Sequence, residues 1–338
     1  MEKRGYFVLS ALIVVVAISL IFGIGFKNKD VASCGDGSPI DSCSLNQPYF
    51  CDKGKLISNP EICGCPENMI FNDFSCSSDY FIGKKEINFS YFFDGSTKQL
   101  SFLIYSGVED YISSLSSSLT YLGNESPSRA DFKLRDINDL IQRNALMPLV
   151  IEIQNSASGK DDQARIAINL VQEISYGFSN KTTSLNEKQE IGYSRYPYDV
   201  VFDGQGVCGE KTELLLFLLR ELGFKTAFFY YSEENHEAVG IGCPVENSLN
   251  NSGYCFVETT GSSIISDDSL VYVGGITLKS NPEIYPISDG YLLSENLPEY
   301  GDAKKMAELR NRPLSLATSL KLNKLINKYG LANEYNLI

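Results

Sequence analysis

Two side chains in this sequence have the types and the setting that thiol chemistry needs, Cys208 and His236. His236 is the only histidine in the 338 residues, so proton transfer by an imidazole near neutral pH must use it. Cys208 follows the glycine-rich run Gly204–Val207, and the leucine-rich segment after it predicts a buried helix that begins at Cys208. A thiol at a helix N-terminus faces the positive end of the helix dipole, which favours the nucleophilic thiolate. We therefore predict Cys208 as the nucleophile and His236 as its general base and acid.

A carboxylate is the third group that such a site needs, because it orients the imidazole and stabilises its charged form. Beyond the helix the sequence predicts three strands, over Lys225–Tyr231, His236–Ile241 and Tyr254–Thr260. If the last two strands are antiparallel neighbours, the start of one lies beside the end of the other. Glu258 can then share a sheet face with His236 by period-2 alternation, and we predict that it orients the imidazole. Asp267 and Asp268 are alternative carboxylates in a polar loop.

The order of these parts resembles the transglutaminase-like superfamily. The resembling segments are Gly206–Glu210 with the apolar helix after it, the strand-initial His236, Phe256–Thr260, and upstream Leu170–Tyr176 and Arg195–Pro197. The resemblance covers residues 160–265 and implies a papain-like core, in which a Cys-bearing helix packs on an antiparallel sheet that supplies the histidine and the acid.

The same resemblance implies roles for individual residues. Cys208 takes the nucleophile position and His236 the base position. The family usually has Asp in an Asp-x-Thr setting where Glu258 stands here. The default oxyanion donor is the backbone N–H of Cys208, and Gln205 is a second candidate.

Structural roles compete with each of these assignments. Cys208 could be a small apolar core residue, His236 a structural histidine, and Glu258 a solvent-facing strand residue. A Cys₃His zinc site from Cys208, Cys243, Cys255 and His236 is a further alternative. It lacks the close C-x₂₋₄-C spacing of structural zinc sites. We predict instead a Cys243–Cys255 disulfide that leaves Cys208 unpaired, and we expect no metal and no cofactor.

The remaining cysteines indicate an oxidising compartment. They cluster in a stretch rich in Gly, Pro, Asn and Ser, as Cys34, Cys43, Cys51, Cys63, Cys65 and Cys76. An even number at this density predicts a small disulfide-rich module whose pairing the sequence leaves open. Before it, Tyr6–Phe26 is an uncharged apolar run of the length that a membrane-spanning helix needs. A cleaved signal peptide is the competing interpretation. We expect an uncleaved single-pass anchor, with the ectodomain on the extracytoplasmic side.

The predicted fold class is α+β, a transglutaminase-like core preceded by a transmembrane helix and a disulfide-rich module. A hairpin is predicted from Ile87–Phe93 and Leu100–Tyr105, a helix over Asp136–Leu146, a strand over Met147–Ile153, a helix over Asp161–Phe178, and a helical region over Asp302–Tyr329 broken at Pro313. We divide the chain into an anchor (1–30), the disulfide-rich module (31–80), an N-terminal α/β part (81–158), the core (159–300) and a C-terminal helical region (301–338).

Composition narrows the classes of function. A net charge of −13 argues against nucleic acid as a partner, because a phosphate-binding surface is basic. The leading hypothesis is a membrane-anchored extracytoplasmic thiol enzyme that acts on protein or peptide amide bonds through a Cys208 acyl-enzyme, with water as the acceptor. The alternatives are a protein-crosslinking acyl transferase and a non-catalytic surface binding module that retains the fold.

Overall fold

The computed structural model describes residues 33–115, 126–179, 182–185, 189–192, 194–269, 271–272, 276–313 and 315–331. Its helices are α1 (Pro60–Cys63), α2 (Ser106–Ser113), α3 (Arg129–Ile137), α4 (Leu140–Ser156), α5 (Lys160–Glu173), α6 (Pro197–Asp203), α7 (Cys208–Glu221), α8 (Pro298–Arg310) and α9 (Leu316–Tyr329).

The strands are mostly short and pair in small sheets, which are antiparallel except for the parallel pair β7–β10. They are β1 (Tyr49–Asp52), β2 (Lys55–Ser58), β3 (Ile70–Asn72), β4 (Ser75–Ser77), β5 (Lys84–Phe93), β6 (Ser96–Tyr105), β7 (Ser175–Tyr176), β8 (Thr182–Leu185), β9 (Gln189–Gly192), β10 (Gln205–Gly206), β11 (Thr226–Tyr231), β12 (His236–Gly242), β13 (Tyr254–Val257), β14 (Val271–Tyr272), β15 (Ile276–Thr277) and β16 (Glu283–Ser288). The described residues thus form an α+β fold.

The central layer is a four-stranded antiparallel sheet with strand order β13-β12-β11-β16. Helix α7 packs on this sheet, against β12 and β11. Its residues Leu214–Leu219 are fully buried, because helices cover the side of α7 that faces away from the sheet. A helix that is apolar on all sides belongs in the core of a domain. The structure contains the three strands predicted after the helix, and the antiparallel pairing of the second and third is confirmed. The third strand ends at Val257 instead of Thr260, so Glu258 lies just beyond it.

One predicted strand is wrong. Met147–Ile153 belongs to the continuous helix α4, which begins after Asp139, whose side chain accepts a hydrogen bond from the Gln142 backbone N–H at 2.8 Å. The helix is buried on most of its surface, and its Met147–Ile153 stretch is apolar at most positions. A short apolar run fits a buried helix as well as a buried strand. The predicted β5–β6 hairpin and the helical region interrupted near Pro313 are confirmed.

Disulfide bonds are confirmed, and the structure gives their pairing. The bonds join Cys34 to Cys51, Cys43 to Cys63, Cys65 to Cys76, and Cys243 to Cys255. Hydrogen bonds dock the disulfide-rich module on the helices: Asn155 pairs with both backbone groups of Leu56, and Gln163 donates to the Gly35 carbonyl at 2.7 Å. Disulfides persist in oxidising compartments, as in extracellular proteins.

The membrane predictions are corrected by the structure. Within the part of the chain that the structure describes, no helix has the length and apolar character needed to cross a bilayer. This finding overturns the transmembrane element of the predicted fold class, the single-pass membrane localisation and the membrane as a partner. The predicted span Tyr6–Phe26 lies outside the described residues.

Candidate active site

Cys208 is the first residue of helix α7, half-buried, and its thiol is free. The residue before it, Val207, has an extended backbone and donates its N–H to the Glu210 carboxylate at 3.0 Å. This bond closes the first helical turn, where backbone N–H groups have no partner inside the helix. The thiol therefore lies at the positive end of a helix whose start is fixed by a side chain.

A buried ion-pair network fixes the segment that leads to Cys208. The side chain of Arg195 is 2% exposed and donates to Asp203 at 2.7 Å and to Glu210 at 3.1 Å. The Arg195 backbone N–H donates to the other oxygen of Glu210 at 2.8 Å. Gly204, between Asp203 and Cys208, has φ 66°, a conformation that glycine adopts without strain. Together these contacts set the direction in which the chain enters α7.

His236 begins strand β12 and is buried, with 4% of its surface exposed. Its Nε2 donates to Glu258 Oε2 at 2.9 Å. Burial alone lowers the pKa of His236, but hydrogen bonds to Cys208 and Glu258, with their negative charges, raise it to about 10. Because Nε2 is bonded to Glu258, Nδ1 is the nitrogen left to face the Cys208 thiol. The imidazole therefore lies between a thiol and a carboxylate and favours its charged form.

Glu258 follows strand β13 directly, and both of its oxygens are occupied. Oε2 accepts from His236, whereas Oε1 accepts from the Thr260 backbone N–H at 2.8 Å and from Thr260 Oγ1 at 2.6 Å. The Glu258 carbonyl accepts from the Gln172 side chain at 2.9 Å. A carboxylate that accepts from three donors is held in one orientation. The segment after β13 thus presents a fixed negative charge to the imidazole.

Lys211, one helical turn after Cys208, ties neighbouring segments to helix α7. It is fully buried, and its ammonium donates to the carbonyls of Ile174 at 2.6 Å, Gln172 at 3.3 Å and Thr260 at 3.4 Å. The first two carbonyls belong to the end of helix α5, and the third belongs to the residue that holds Glu258. Lys211 therefore links the Cys-bearing helix to the segment that carries the carboxylate.

Lys133 makes a second link, between the Cys-bearing helix and the His-bearing strand. Its ammonium lies 2.7 Å from Glu213 on α7 and 2.8 Å from Glu237, the residue after His236. Burial lowers the pKa of Lys133, but the two carboxylates outweigh this and raise it. A Cβ at Gly209 would lie 2.5 Å from Glu237 Oε2, so glycine permits the close approach of α7 and β12. The ion pairs therefore fix the position of α7, which carries Cys208, relative to β12, which carries His236.

The structure places the other predicted residues as follows. Gln205 lies in β10, half-buried, and its amide oxygen would be 2.6 Å from a Cβ at Gly177. Asp267, an alternative carboxylate, pairs with Arg310 of α8, so its charge is used in packing the C-terminal helices. Cys243 and Cys255 are bonded to each other. The zinc alternative thereby loses two of its four ligands, since zinc binds thiolates.

Several residues that shape the site did not stand out in the sequence. Thr260 lies two positions after the predicted acid, Glu258. Its hydroxyl, so close in sequence to that carboxylate, was the feature that could have identified it. Lys211 had a weak signal, as a cation shortly before the apolar run of α7. Lys133 had no signal, because its partners lie 80 and 104 positions along the chain by residue number. Chemically, the arrangement can hold a Cys208 thiolate beside a His236 imidazolium. The Glu258 carboxylate bonds to the other ring nitrogen and balances part of the positive charge.

Comparisons with known proteins give distant similarities. The chain matches no protein-family model and no curated protein sequence. Among solved structures it is similar to Legionella pneumophila LapG in an EGTA-treated form, with a TM-score of 0.27 and 12% identity over 52% of this chain and 95% of that one. The calcium-bound form of LapG gives a TM-score of 0.24 and 11% identity over 52% and 97%. Similarity at this level assigns neither a fold nor an activity to this chain.

Proposed function

We propose that this protein is a transglutaminase-like thiol enzyme that hydrolyses amide bonds of proteins or peptides. The observation that carries the proposal is that one buried imidazole bonds to both the free thiol of Cys208 and the fixed carboxylate of Glu258. A nucleophile, a base and an orienting acid within hydrogen-bond reach of one another form the arrangement that acyl transfer requires. The four disulfides support an extracellular setting.

In the acylation half of the reaction, the Cys208 thiolate attacks the amide carbonyl carbon and forms a C–S bond. The carbonyl electron pair moves to oxygen and returns as the C–N bond breaks. His236 donates the Nδ1 proton to the departing nitrogen, so the amine leaves neutral and the imidazole becomes neutral. The product bound to the enzyme is a thioester. Throughout, Glu258 keeps its negative charge and holds the ring in the orientation that presents Nδ1 to the leaving group.

In the second half, neutral His236 removes a proton from a water molecule as the water oxygen attacks the thioester carbonyl. The C–S bond then breaks, and the carboxylic acid leaves. The thiolate–imidazolium pair is thereby restored, and atoms and protons balance over the two steps. The oxyanion formed in each step lies near the N-terminus of α7, where the Cys208 backbone N–H is a donor. We propose Gln205 as a second donor, on the strand that leads to Cys208.

A peptide library in ¹⁸O-labelled water tests this function. The native protein and Cys208→Ser are incubated with the same library, and products are identified by mass spectrometry. The proposal predicts new C-termini that carry ¹⁸O with the native protein and not with the variant. Peptides joined through a lysine amine would instead show that an amine is the acceptor. Identical product sets from the two proteins would contradict a Cys208 acyl-enzyme of either kind.

A further inference from the structure

Two aromatic side chains that the proposed reaction does not use stand exposed near the thiol. Tyr176 is 37% exposed and Phe178 is 75% exposed. Their ring centroids are 5.9 Å apart and their planes meet at 84°, so the two rings form an apolar corner open to solvent. Large exposed apolar groups beside a reactive group are typical of ligand sites, because binding a ligand removes them from water.

Strand pairing places this corner next to the nucleophile. Tyr176 of β7 is the direct partner of Gly206 in β10, two residues before Cys208, and the Gly177 N–H donates to the Gly206 carbonyl at 3.2 Å. Burial raises the pKa of Tyr176, and the negative charge of Cys208 raises it further. The phenol therefore lies within electrostatic reach of the thiol, and the strand pairing places its backbone two residues from Cys208 in register.

Hydrogen bonds also fix the backbone that carries the corner. Arg195 donates to the carbonyls of Gly177 at 3.1 Å and Phe178 at 3.3 Å. Its guanidinium is buried and pairs with Asp203 and Glu210, the network that sets the start of α7. Arg195 thus contacts both the backbone of the aromatic corner and the residues that fix the start of α7. A preorganised aromatic surface loses little conformational entropy on binding, which increases its contribution to affinity.

We propose that Tyr176 and Phe178 form an apolar subsite, which binds an aromatic or large aliphatic side chain of the substrate peptide next to the amide that Cys208 attacks. This proposal rests on the proposed function and adds a substrate class to it. The occupant is an apolar side chain because the rings offer apolar faces and the Arg195 guanidinium is already paired with Asp203 and Glu210. Acidic side chains are disfavoured, since Glu173 is exposed close by and the chain carries a net charge of −13.

Two alkylating reagents test the subsite without a known substrate. Iodoacetamide and N-phenethyl-iodoacetamide both form a C–S bond with Cys208 and release iodide, and only the second carries an aromatic group. The ratio of the two rate constants is measured on the same protein, so changes in thiol reactivity cancel. The ratio on glutathione gives the intrinsic difference between the reagents. In the native protein, the ratio of the rate constant for the aromatic reagent to that for iodoacetamide should be about tenfold higher than with glutathione. The cause is stacking of the phenyl group on the aromatic corner.

Variants locate the effect. Tyr176→Ala and Phe178→Ala should each lower the ratio toward that of glutathione, whereas Tyr176→Phe keeps the ring and should keep the ratio. Phe74→Ala is the matched control, because Phe74 is 77% exposed and lies in the disulfide-rich module. A native ratio equal to that of glutathione, or alanine variants that keep the native ratio, would overturn the subsite and leave the proposed function standing. If neither reagent labels Cys208, both the subsite and the proposed function are wrong.

Discussion

Thr260 holds Glu258 through two hydrogen bonds to a single carboxylate oxygen, from its backbone N–H at 2.8 Å and its hydroxyl at 2.6 Å. The other oxygen is thereby left for His236. Because the first oxygen is fixed, the second oxygen of the carboxylate can point in only one direction, toward the imidazole. The orientation of the imidazole therefore depends on a threonine that contacts neither the thiol nor the ring in the proposed mechanism.

Thr260→Val tests this dependence, because valine matches threonine in shape and lacks the hydroxyl. One donor to a charged group is lost, which costs about 1.5–3 kcal/mol in other proteins. We expect Cys208 to react with iodoacetamide roughly tenfold more slowly, since 1.4 kcal/mol corresponds to a tenfold change. The rate is measured by peptide mapping. Thr97→Val, at an exposed position of β6, should keep the native rate. Equal rates in both variants would show that Thr260 does not position Glu258.

Glu258→Gln separates the charge of this residue from its shape. The glutamine keeps one acceptor oxygen for Thr260, but it turns an N–H toward His236 Nε2 in place of a carboxylate oxygen. It therefore no longer stabilises the imidazolium, and the pKa of His236 should fall. Alkylation of Cys208 should slow by at least about tenfold at pH 6 and by less at pH 8.5. Glu86→Gln, on an exposed position of β5, is the control. A Glu258→Gln rate equal to the native rate at pH 6 would remove Glu258 from the site.

Lys133→Met tests the link between helix α7 and strand β12. The variant leaves the buried Glu213 and the half-buried Glu237 without their cation, a change that costs about 3–5 kcal/mol in buried ion pairs. We expect a corresponding loss in the free energy of unfolding, measured with urea. Lys324→Met changes an exposed lysine of α9 and should alter it by less than about 0.5 kcal/mol. A native-like stability for Lys133→Met would show that the ion pairs do not stabilise this contact.

The raised pKa of His236 also predicts how stability depends on pH. Its folded pKa of about 10 lies above the ordinary value of 6.5, so the folded state binds the proton more tightly. The resulting stabilisation is fully present below pH 6.5 and is lost as the pH rises toward 10. Urea unfolding of the native protein and of His236→Gln should therefore differ most near pH 6, by on the order of a few kcal/mol. A difference that grows with pH would contradict the charged imidazole.

Local patterns were sufficient to predict that Cys208 begins a helix and that Glu258 lies beside His236. A glycine-rich approach and a leucine-rich segment predicted that α7 begins at Cys208, because both signals act within a few residues. Alternation along two adjacent strands predicted that Glu258 could reach His236, because the β12–β13 connection is short enough for the strands to pair. These features depend on residues that are close together in the chain, so they can be read from a single sequence.

Contacts between distant segments could not be predicted in the same way. The pairing of Lys133 with Glu213 and Glu237 depends on how α3 packs against α7 and β12, and no periodicity encodes that choice. The strand predicted at Met147–Ile153 was wrong for a related reason, since burial on nearly all sides of α4 removed the alternation of apolar and polar residues that marks a surface helix. The disulfide pairing likewise depended on the folded module rather than on spacing.

The pH profile of Cys208 alkylation, measured in the native protein and in His236→Ala, tests the thiolate–imidazolium pair most directly. We predict that the native thiol reacts rapidly with iodoacetamide at pH 6, where the charged imidazole stabilises the thiolate. His236→Ala should react at that pH at least about tenfold more slowly and gain reactivity only as the pH approaches the usual thiol range of about 8.5. If the two proteins have the same profile, His236 does not activate Cys208 and the proposed mechanism is wrong.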